Sequence, residues 1–242
     1  EGIADMDYAM PNLKVEYVRL ESPIATGFLR SVGNSSNTFV VESFIDELAH
    51  AAGKDPLEFR LNMLKQNPRA AGVLKKVADA GAWGKPAPQG IGRGIAVRFC
   101  YGSYVAQMAE VSVDRKTGVI KVHRMVTAID PGQVVNPDSV HAQIEGATIM
   151  AISIALKEKV SFKNGGVATS GFGDYPILTM SEIPKIEGYI ITNNEKIGGV
   201  GEPCVPPVAP AIGNAVFAAT GLRLRSLPMT ADKVRSAFKA KA

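Results

Sequence analysis

One acidic residue, Glu202, stands in the segment "GGVGEPCVPPVAPAIGNAV" (198–216), which carries no other charge. Gly198, Gly199 and Gly201 permit positive φ angles and a close approach of a ligand to the backbone. The prolines that follow stiffen the chain, and an apolar helix is predicted to begin just after them. The pattern predicts a carboxylate held on a rigid loop beside a helix N-terminus.

Two roles for Glu202 follow from this setting. An apolar environment makes a carboxylate a stronger base, whereas a helix N-terminus stabilises its ionised form. In the first case Glu202 would act as a general base in proton transfer. In the second it would only accept hydrogen bonds from unpaired N–H groups of the helix. The residues of this loop leave both roles open.

A second candidate is Arg30, the only charged residue between Glu21 and Glu42. It lies in "GFLRSVGNSSN", a loop rich in Gly, Ser and Asn. Its guanidinium could bind an anionic group through two parallel hydrogen bonds. An ordinary surface arginine gives the same pattern, and the loop alone favours that interpretation.

The third candidate is Gln143, which lies in "HAQIEGA" within a largely apolar predicted helix. A glutamine in such a helix needs hydrogen-bond partners. A neighbouring loop could supply them, and so could the amide-rich edge of a cofactor. Gly146, one turn further on, permits the close approach of another element.

The cysteines and histidines offer no metal site of their own. Cys100 and Cys204 are far apart, and the three histidines share no ligand spacing. Two thiols cannot hold an iron–sulfur cluster or a structural zinc by themselves. No histidine that could activate Cys204 lies near it in sequence, so this residue is interpreted as a small packed side chain.

Composition limits the class of protein. The chain has 242 residues, of which 46% are hydrophobic and 21% charged, with a net charge of +4. Its basic residues are scattered, and the cluster near the C-terminus fits a solvated helix face, so we expect no nucleic-acid partner. No apolar run reaches the ~18 residues that span a bilayer, so no transmembrane segment is expected.

Residues 12–20 alternate apolar and polar side chains and predict a half-buried strand. Ser35 or Ser36 is expected to cap a helix over 37–52, which Gly53 would end. The apolar side chains expected to face the core from this helix are Phe39, Val40, Phe44, Ile45, Leu48 and Ala52.

Asp55 and Pro56 predict the start of a second helix, and Gly81 is expected to end a third. A Pro/Gly-rich linker at 85–94 separates this helical part from a mixed β-sheet with packed helices, an α+β fold. The elements predicted there are a β-hairpin turning at 114–118, a long helix over 137–157 buried nearly all round, a hairpin turning at 164–166, a strand at 185–193 and helices at 207–220 and 230–239.

Three blocks, which follow one another along the chain in the same order as in the family, resemble the molybdenum hydroxylases, the xanthine oxidase and aldehyde oxidoreductase family. "GGVGEPCVPPVAPAIGNAVFAATGLRLRSLPM" is similar to the C-terminal signature of that family. "GFLRSVGNSSNTFVVESFIDELAHAAGKDPLEFRLNML" resembles its arginine loop and the following helix, in the version of isoquinoline 1-oxidoreductase β-subunits. "AEVSVDRKTGVIKVHRMVTAIDPGQVVNPDSVHAQIEGA" also matches. The resemblance covers nearly the whole chain.

The resemblance implies a molybdopterin cofactor, in bacterial members usually the cytosine dinucleotide. In that family a Mo–OH group attacks an electron-poor carbon of an aldehyde or N-heterocycle, a glutamate takes the proton, and hydride passes to Mo=S. The glutamate corresponds to Glu202, the loop arginine to Arg30, and the glutamine that contacts the pterin to Gln143. Gly199 and Gly201 are expected to contribute to the cofactor site.

The resemblance also implies partners. The family's glycine-rich cofactor segments and its iron–sulfur cysteines are absent from this sequence. The chain is therefore expected to be a C-terminal portion that needs the remaining N-terminal portion and a partner subunit with 2Fe-2S clusters, and a flavin or cytochrome subunit could follow in the electron path. Residues 1–84 would end a first molybdopterin-binding domain, 85–94 would link, and 95–242 would form a second.

Two residues depart from the family pattern. Val32 stands where xanthine oxidases carry an aromatic residue that stacks on the substrate, and Pro131 replaces the usual Cys or Val. The substrate, a small molecule, therefore stays open. The compartment, bacterial cytoplasm or periplasm, is open as well, because any export signal would lie on the missing portion. The alternative function is a non-catalytic structural subunit or fragment that binds no cofactor itself. A third is an independent small-molecule binding domain.

Overall fold

The computed structural model describes residues 1–241 as a four-stranded mixed sheet with helices on both faces and a small two-stranded hairpin. This confirms the expected α+β class. The helices are α1 (Gly33–Ala51), α2 (Pro56–Met63), α3 (Pro68–Ala80), α4 (Pro137–Leu156), α5 (Val208–Thr220) and α6 (Ala231–Lys241). The strands are β1 (Gly92–Cys100), β2 (Ser103–Val113), β3 (Ile120–Asp130), β4 (Phe162–Lys163), β5 (Gly166–Val167) and β6 (Lys185–Ile190).

The main sheet has the strand order β1-β2-β3-β6. The first three strands are antiparallel neighbours joined by short turns, with Ile95 opposite Met108 and Met108 opposite Val126. Strand β6 pairs with β3 in parallel. A parallel pair needs a crossover, and the chain supplies it with α4 and the hairpin β4–β5.

Alternating side chains send the strands' apolar residues to two separate cores. Ile95, Met108 and Val126 pack on one face against α3. Ala96, Ala109, Met125 and other residues on the opposite face pack with α4 and α5. The sheet is therefore covered on both sides, and residues 94–98, 105–109 and 125–130 of its first three strands are buried in succession.

Helix α5 approaches β1 so closely that there is no room for a side chain at position Gly94. A Cβ at Gly94 would lie 2.2 Å from the carbonyl oxygen of Ala211 and from the amide nitrogen of Ala215. Both atoms belong to the backbone of α5, so neither can rotate away.

We expect Gly94→Ala to lower the free energy of unfolding by about 1–3 kcal/mol, the usual cost of overpacking a core. The matched control is Gly72→Ala in α3, where a Cβ would meet no atom within 4 Å. This control should be neutral or stabilise by about 1 kcal/mol, because alanine is the better helix former. Urea denaturation compares the two, and equal stability of both variants would contradict the packing argument.

Local signals correctly predict several elements. The Asp55 side chain accepts hydrogen bonds from the N–H groups of Leu57 and Glu58 and caps α2. Helix α3 ends at Ala80 with Gly81 as its C-cap, and α5 ends at Gly221 in the left-handed conformation. The predicted turn at 114–118 joins β2 to β3.

The strand predicted at 12–20 is wrong. The segment makes no sheet pairing within residues 1–241, and Tyr17 and Val18 are 84% and 78% exposed. Its alternating pattern is that of a strand, but a strand needs a neighbour to pair with, and this part of the molecule offers none.

Helix α1 differs from its prediction in its start and in its buried face. It begins at Gly33 without a side-chain cap, so neither Ser35 nor Ser36 is the N-cap. Phe39 and Ile45 are buried as expected. The ridge formed by Val40, Phe44 and Leu48 is exposed instead, and the helix buries the acidic residues Glu42 and Asp46.

The acidic face of α1 is buried because cations meet it there. The Glu42 carboxylate accepts hydrogen bonds from Arg60 Nε at 2.9 Å, from the Tyr8 hydroxyl at 2.5 Å and from the Val97 N–H at 3.1 Å. Asp46 pairs with Arg223, which the segment after α5 supplies. This cluster ties the N-terminal helices to β1 and to the segment after α5.

Helix α4 is less buried than predicted. Its C-terminal half faces the core through residues such as Ile152, whereas His141, Ala142 and Glu145 are exposed. By length and composition alone α4 could cross a membrane, although 44% of its most apolar 18-residue stretch is buried in the fold. A core helix of a water-soluble protein passes the same test, so this is weak evidence for a membrane span.

The stretch expected to be a linker contributes to the sheet. Strand β1 begins at Gly92, inside the predicted 85–94 segment, and only the preceding residues form an irregular connection. Helix α3 packs on β2 and β3. The helices before the linker and the sheet after it therefore share one core, and the division into two domains stays a prediction.

Candidate functional site

The loop that carries Glu202 lies against the loop that carries Arg30, although 171 positions separate the contacting residues. The Ser31 N–H donates to Glu202 Oε1 at 2.9 Å, and the Ser31 hydroxyl donates to the Glu202 carbonyl oxygen at 2.5 Å. The Glu202 carboxylate is therefore held by this loop, and no N–H group of α5 within residues 1–241 donates to it.

Arg30 contacts two other predicted site residues, Gly201 and Gln143. Its Nε donates to the carbonyl oxygen of Gly201 at 2.7 Å, and its Nη2 donates to Gln143 Oε1 at 2.7 Å. The guanidinium thus connects the Glu202 loop to α4. Arg30, Gln143 and Glu202 are all half-buried, so they are fixed by contacts and still reachable from solvent.

The backbone next to Arg30 is strained. Ser31 has φ 72° and Val32 has φ 49°, a conformation that residues with a Cβ rarely adopt. Such residues cost of order 1–3 kcal/mol each and persist only where the surroundings hold them. Here the Ser35 hydroxyl holds the loop by donating to the Arg30 carbonyl oxygen at 2.8 Å. Strain of this kind concentrates at functional sites.

The glycines of the 198–201 segment act through close packing. None of them has a positive φ, so the left-handed conformation that glycine permits is not used in this segment. A Cβ at Gly198 would lie 2.3 Å from the carbonyl oxygen of Gly102. The Gly199 N–H donates to the Tyr101 carbonyl oxygen at 2.7 Å, and its own carbonyl oxygen accepts from Ser103. These contacts fix the Glu202 loop to the β1–β2 turn.

Two side-chain types beside the loop have altered acidity. Burial and the nearby Glu202 carboxylate raise the pKa of Tyr101. Burial raises the pKa of both Cys100 and Cys204 to about 12. At neutral pH both thiols are protonated, so neither is a nucleophile, and Cys204 packs in the core as predicted.

The site presents free hydrogen-bonding groups. Within residues 1–241 nothing donates to Glu202 Oε2, and the amide nitrogen of Gln143 donates to nothing. A carboxylate oxygen of this kind can take a proton, and an amide N–H can bind an acceptor on a ligand. In the described residues no cluster of three or more His, Cys, Asp or Glu could hold a metal ion.

The sequence indicates most of these residues but not Ser31. The structure brings Glu202, Arg30, Gln143 and Gly201 together, with Gly199 in the same loop. Ser31 is fully buried (0% exposed), and its position next to Arg30 is the only sequence signal that could indicate it.

Comparison with known proteins gives the family. Residues 42–184 match the family described as molybdopterin cofactor-binding domain. The chain is 39% identical to a nicotinate dehydrogenase subunit of Pseudomonas putida, covering 96% of this chain and 21% of that one. It is 35% identical to the beta subunit of isoquinoline 1-oxidoreductase of Brevundimonas diminuta, covering 92% and 29%. The chain thus spans less than a third of the length of these relatives.

A solved structure supports the fold. The aldehyde oxidoreductase of Desulfovibrio gigas superposes with a TM-score of 0.68 over 87% of this chain and 41% of that one, at 17% identity. This similarity agrees with the α+β architecture, and the match to the family covers more than half of the sequence. Through its molybdopterin cofactor-binding domain, the chain belongs to the molybdenum hydroxylase family.

Proposed function

We propose that this chain forms part of a molybdenum-dependent oxidoreductase that hydroxylates an electron-poor carbon of an aldehyde or N-heterocycle. The observation that supports it most is the meeting of Glu202, Arg30 and Gln143 at one site, through hydrogen bonds between distant segments. The relatives include subunits of enzymes named for nicotinate and isoquinoline, and both of these compounds are N-heterocycles.

Glu202 is the general base in this proposal. Ser31 occupies Oε1, so Oε2 is the oxygen that takes up the proton. When bound, the molybdenum cofactor would supply the transferred oxygen and accept the electrons. The rigid Gly/Pro loop keeps Oε2 in a fixed direction, which lowers the entropic cost of reaching a reactive geometry.

Arg30, Gln143, Gly199 and Gly201 line the cofactor side of the site. The residues fit a pterin, because the Gln143 amide nitrogen has no partner in the described part of the chain and the Gly201 backbone is open. A pterin offers a hydrogen-bonding edge to such groups. We expect the cytosine dinucleotide form of molybdopterin, with the 2Fe-2S clusters on a partner subunit.

Exposed apolar surface supports a large partner. Phe28 is 92% exposed, and the ridge of Val40, Phe44 and Leu48 on α1 faces solvent, as does the extended segment 12–20. Surfaces of this kind mark interaction sites. This chain covers only 21% and 29% of the two relatives, so the remaining portion of the large subunit is the proposed partner, with an iron–sulfur subunit next in the electron path.

Native mass spectrometry with metal analysis on the complex purified from its natural source tests the proposal. We expect molybdenum, a pterin dinucleotide and further protein chains or segments in one assembly. A complex without molybdenum or pterin would favour the alternative, a non-catalytic structural component. A monomer that binds a small molecule without partners would favour an independent binding domain.

A further inference from the structure

The residue that holds the Glu202 carboxylate is Ser31. It bonds to Glu202 twice, through its N–H to the side chain at 2.9 Å and through its hydroxyl to the backbone carbonyl at 2.5 Å. The second bond fixes the place of the Glu202 backbone, and the first fixes the orientation of its carboxylate. Together they leave the side chain little rotational freedom.

The conformation of Ser31 makes this double contact possible. Its φ of 72° is left-handed, and Val32 also has a positive φ. A β-branched valine strongly disfavours a positive φ. The turn therefore persists against the backbone preference of Val32. The turn lets the N–H and the hydroxyl of one residue reach two atoms of the same glutamate.

Burial makes these bonds strong and rigid. Ser31 is 0% exposed, so water does not compete for its hydroxyl or its N–H. Arg30 also contacts the Glu202 loop, through its bond to the Gly201 carbonyl oxygen, and contacts α4 through its bond to Gln143. The two loops are therefore joined by three hydrogen bonds, one from Arg30 to Gly201 and two from Ser31 to Glu202.

We infer that Ser31 is a positioning residue for Glu202, which it holds so that Oε2 alone is presented to the reaction. This inference rests on the proposed function. Ser31 is not itself a catalytic residue, because its polar groups are consumed by Glu202 and its side chain is fully buried.

The test is Ser31→Ala in the complete enzyme. The variant keeps the backbone N–H but loses the bond to the Glu202 carbonyl oxygen. We expect kcat to fall roughly 10- to 100-fold, the loss that a displacement of about 1 Å can cause, with KM nearly unchanged. Molybdenum and pterin content should equal those of the wild type. A crystal structure of the variant should show the Glu202 backbone displaced from its wild-type position, because the bond to its carbonyl oxygen is lost.

Two further variants sharpen the test. Ser36→Ala, in the first turn of α1 and with only a 3.5 Å contact to the Gly33 carbonyl oxygen, should leave kcat unchanged. Ser31→Gly removes the same hydroxyl and relieves the left-handed strain, so it should assemble even where Ser31→Ala does not, and it should also lower kcat.

A double variant separates positioning from a structural role. If Ser31 acts only through Glu202, adding Ser31→Ala to Glu202→Gln should cause no further loss of kcat. Additive losses, reduced molybdenum content, or wild-type kcat in both Ser31 variants would overturn the inference. Normal turnover of Glu202→Gln alone would instead overturn the proposed function, and the inference with it.

Discussion

Glu202→Gln should abolish nearly all turnover of the complete enzyme while its molybdenum and pterin content stays at the wild-type level. A general base alone contributes about 10²–10⁴-fold. We expect a loss of at least ~10⁴-fold, the top of that range, since in the proposed mechanism this proton transfer also generates the nucleophile. Glutamine has nearly the same shape and still accepts the Ser31 N–H, so the loop should keep its structure. Steady-state kinetics normalised to bound molybdenum measures the effect.

The matched control is Glu195→Gln, which removes an exposed carboxylate seven positions earlier on the same connection. It should retain wild-type turnover, because charge screening makes an exposed carboxylate contribute little. A Glu202→Gln enzyme that turns over as fast as the control would remove Glu202 from the mechanism. A loss that merely follows a loss of molybdenum would assign it a role in holding the cofactor.

The second large effect concerns stability. Arg60→Met should lower the free energy of unfolding by about 3–5 kcal/mol, the usual cost of removing one partner of a buried ion pair. Arg60 is 0% exposed and its Nε lies 2.9 Å from Glu42 Oε2. Although burial opposes its charge, Glu42, Tyr8 and Asp46 hold the pKa of Arg60 above its usual value. Methionine would fill the space but leave the buried Glu42 carboxylate without its arginine partner.

The control for Arg60 is Arg225→Met, whose ion pair with Glu47 involves an arginine that is 69% exposed. Exposed pairs contribute about 1 kcal/mol or less, so the midpoint of urea denaturation should barely change. Equal midpoints for the two variants would show that the buried cluster does not stabilise the joint between α1, α2 and the sheet. Since neither arginine contacts Glu202, neither change should affect molybdenum content.

Local chemistry explains what can be predicted from the sequence. Asp55 and Pro56 determine the start of α2 through contacts within three residues, and Gly221 ends α5 by its own conformation. The hairpin of β2 and β3 is likewise set by a short turn. Signals of this kind act over a few residues, so one sequence is enough to recognise them.

Contacts between distant segments explain what cannot be predicted. The apolar side chains of α1 indicate one buried face, yet Glu42 and Asp46 lie inside because Arg60 and Arg223 neutralise them. The strand predicted at 12–20 has the right alternation but no neighbour to pair with among residues 1–241.

The candidate site shows the same division. Glu202, Arg30 and Gln143 are recognisable as unusual residues in their own segments, and the family resemblance strengthens their assignment as site residues. Ser31 is not recognisable in this way, because its importance comes from a backbone angle and from full burial, and neither can be inferred from the residue type. The sequence indicates the groups that can do chemistry, and the fold is needed to find what holds them.

Anomalous X-ray diffraction at the molybdenum absorption edge, on crystals of the complete enzyme, tests most directly whether this chain supplies the base of a molybdenum site. The method locates the metal without any assumption about mechanism. We predict a single strong peak beside the loop 198–202, on the side of Glu202 Oε2 and close to Arg30 and Gln143. A peak elsewhere in the enzyme, or no peak near this loop, would contradict the assignment of Glu202 as that base.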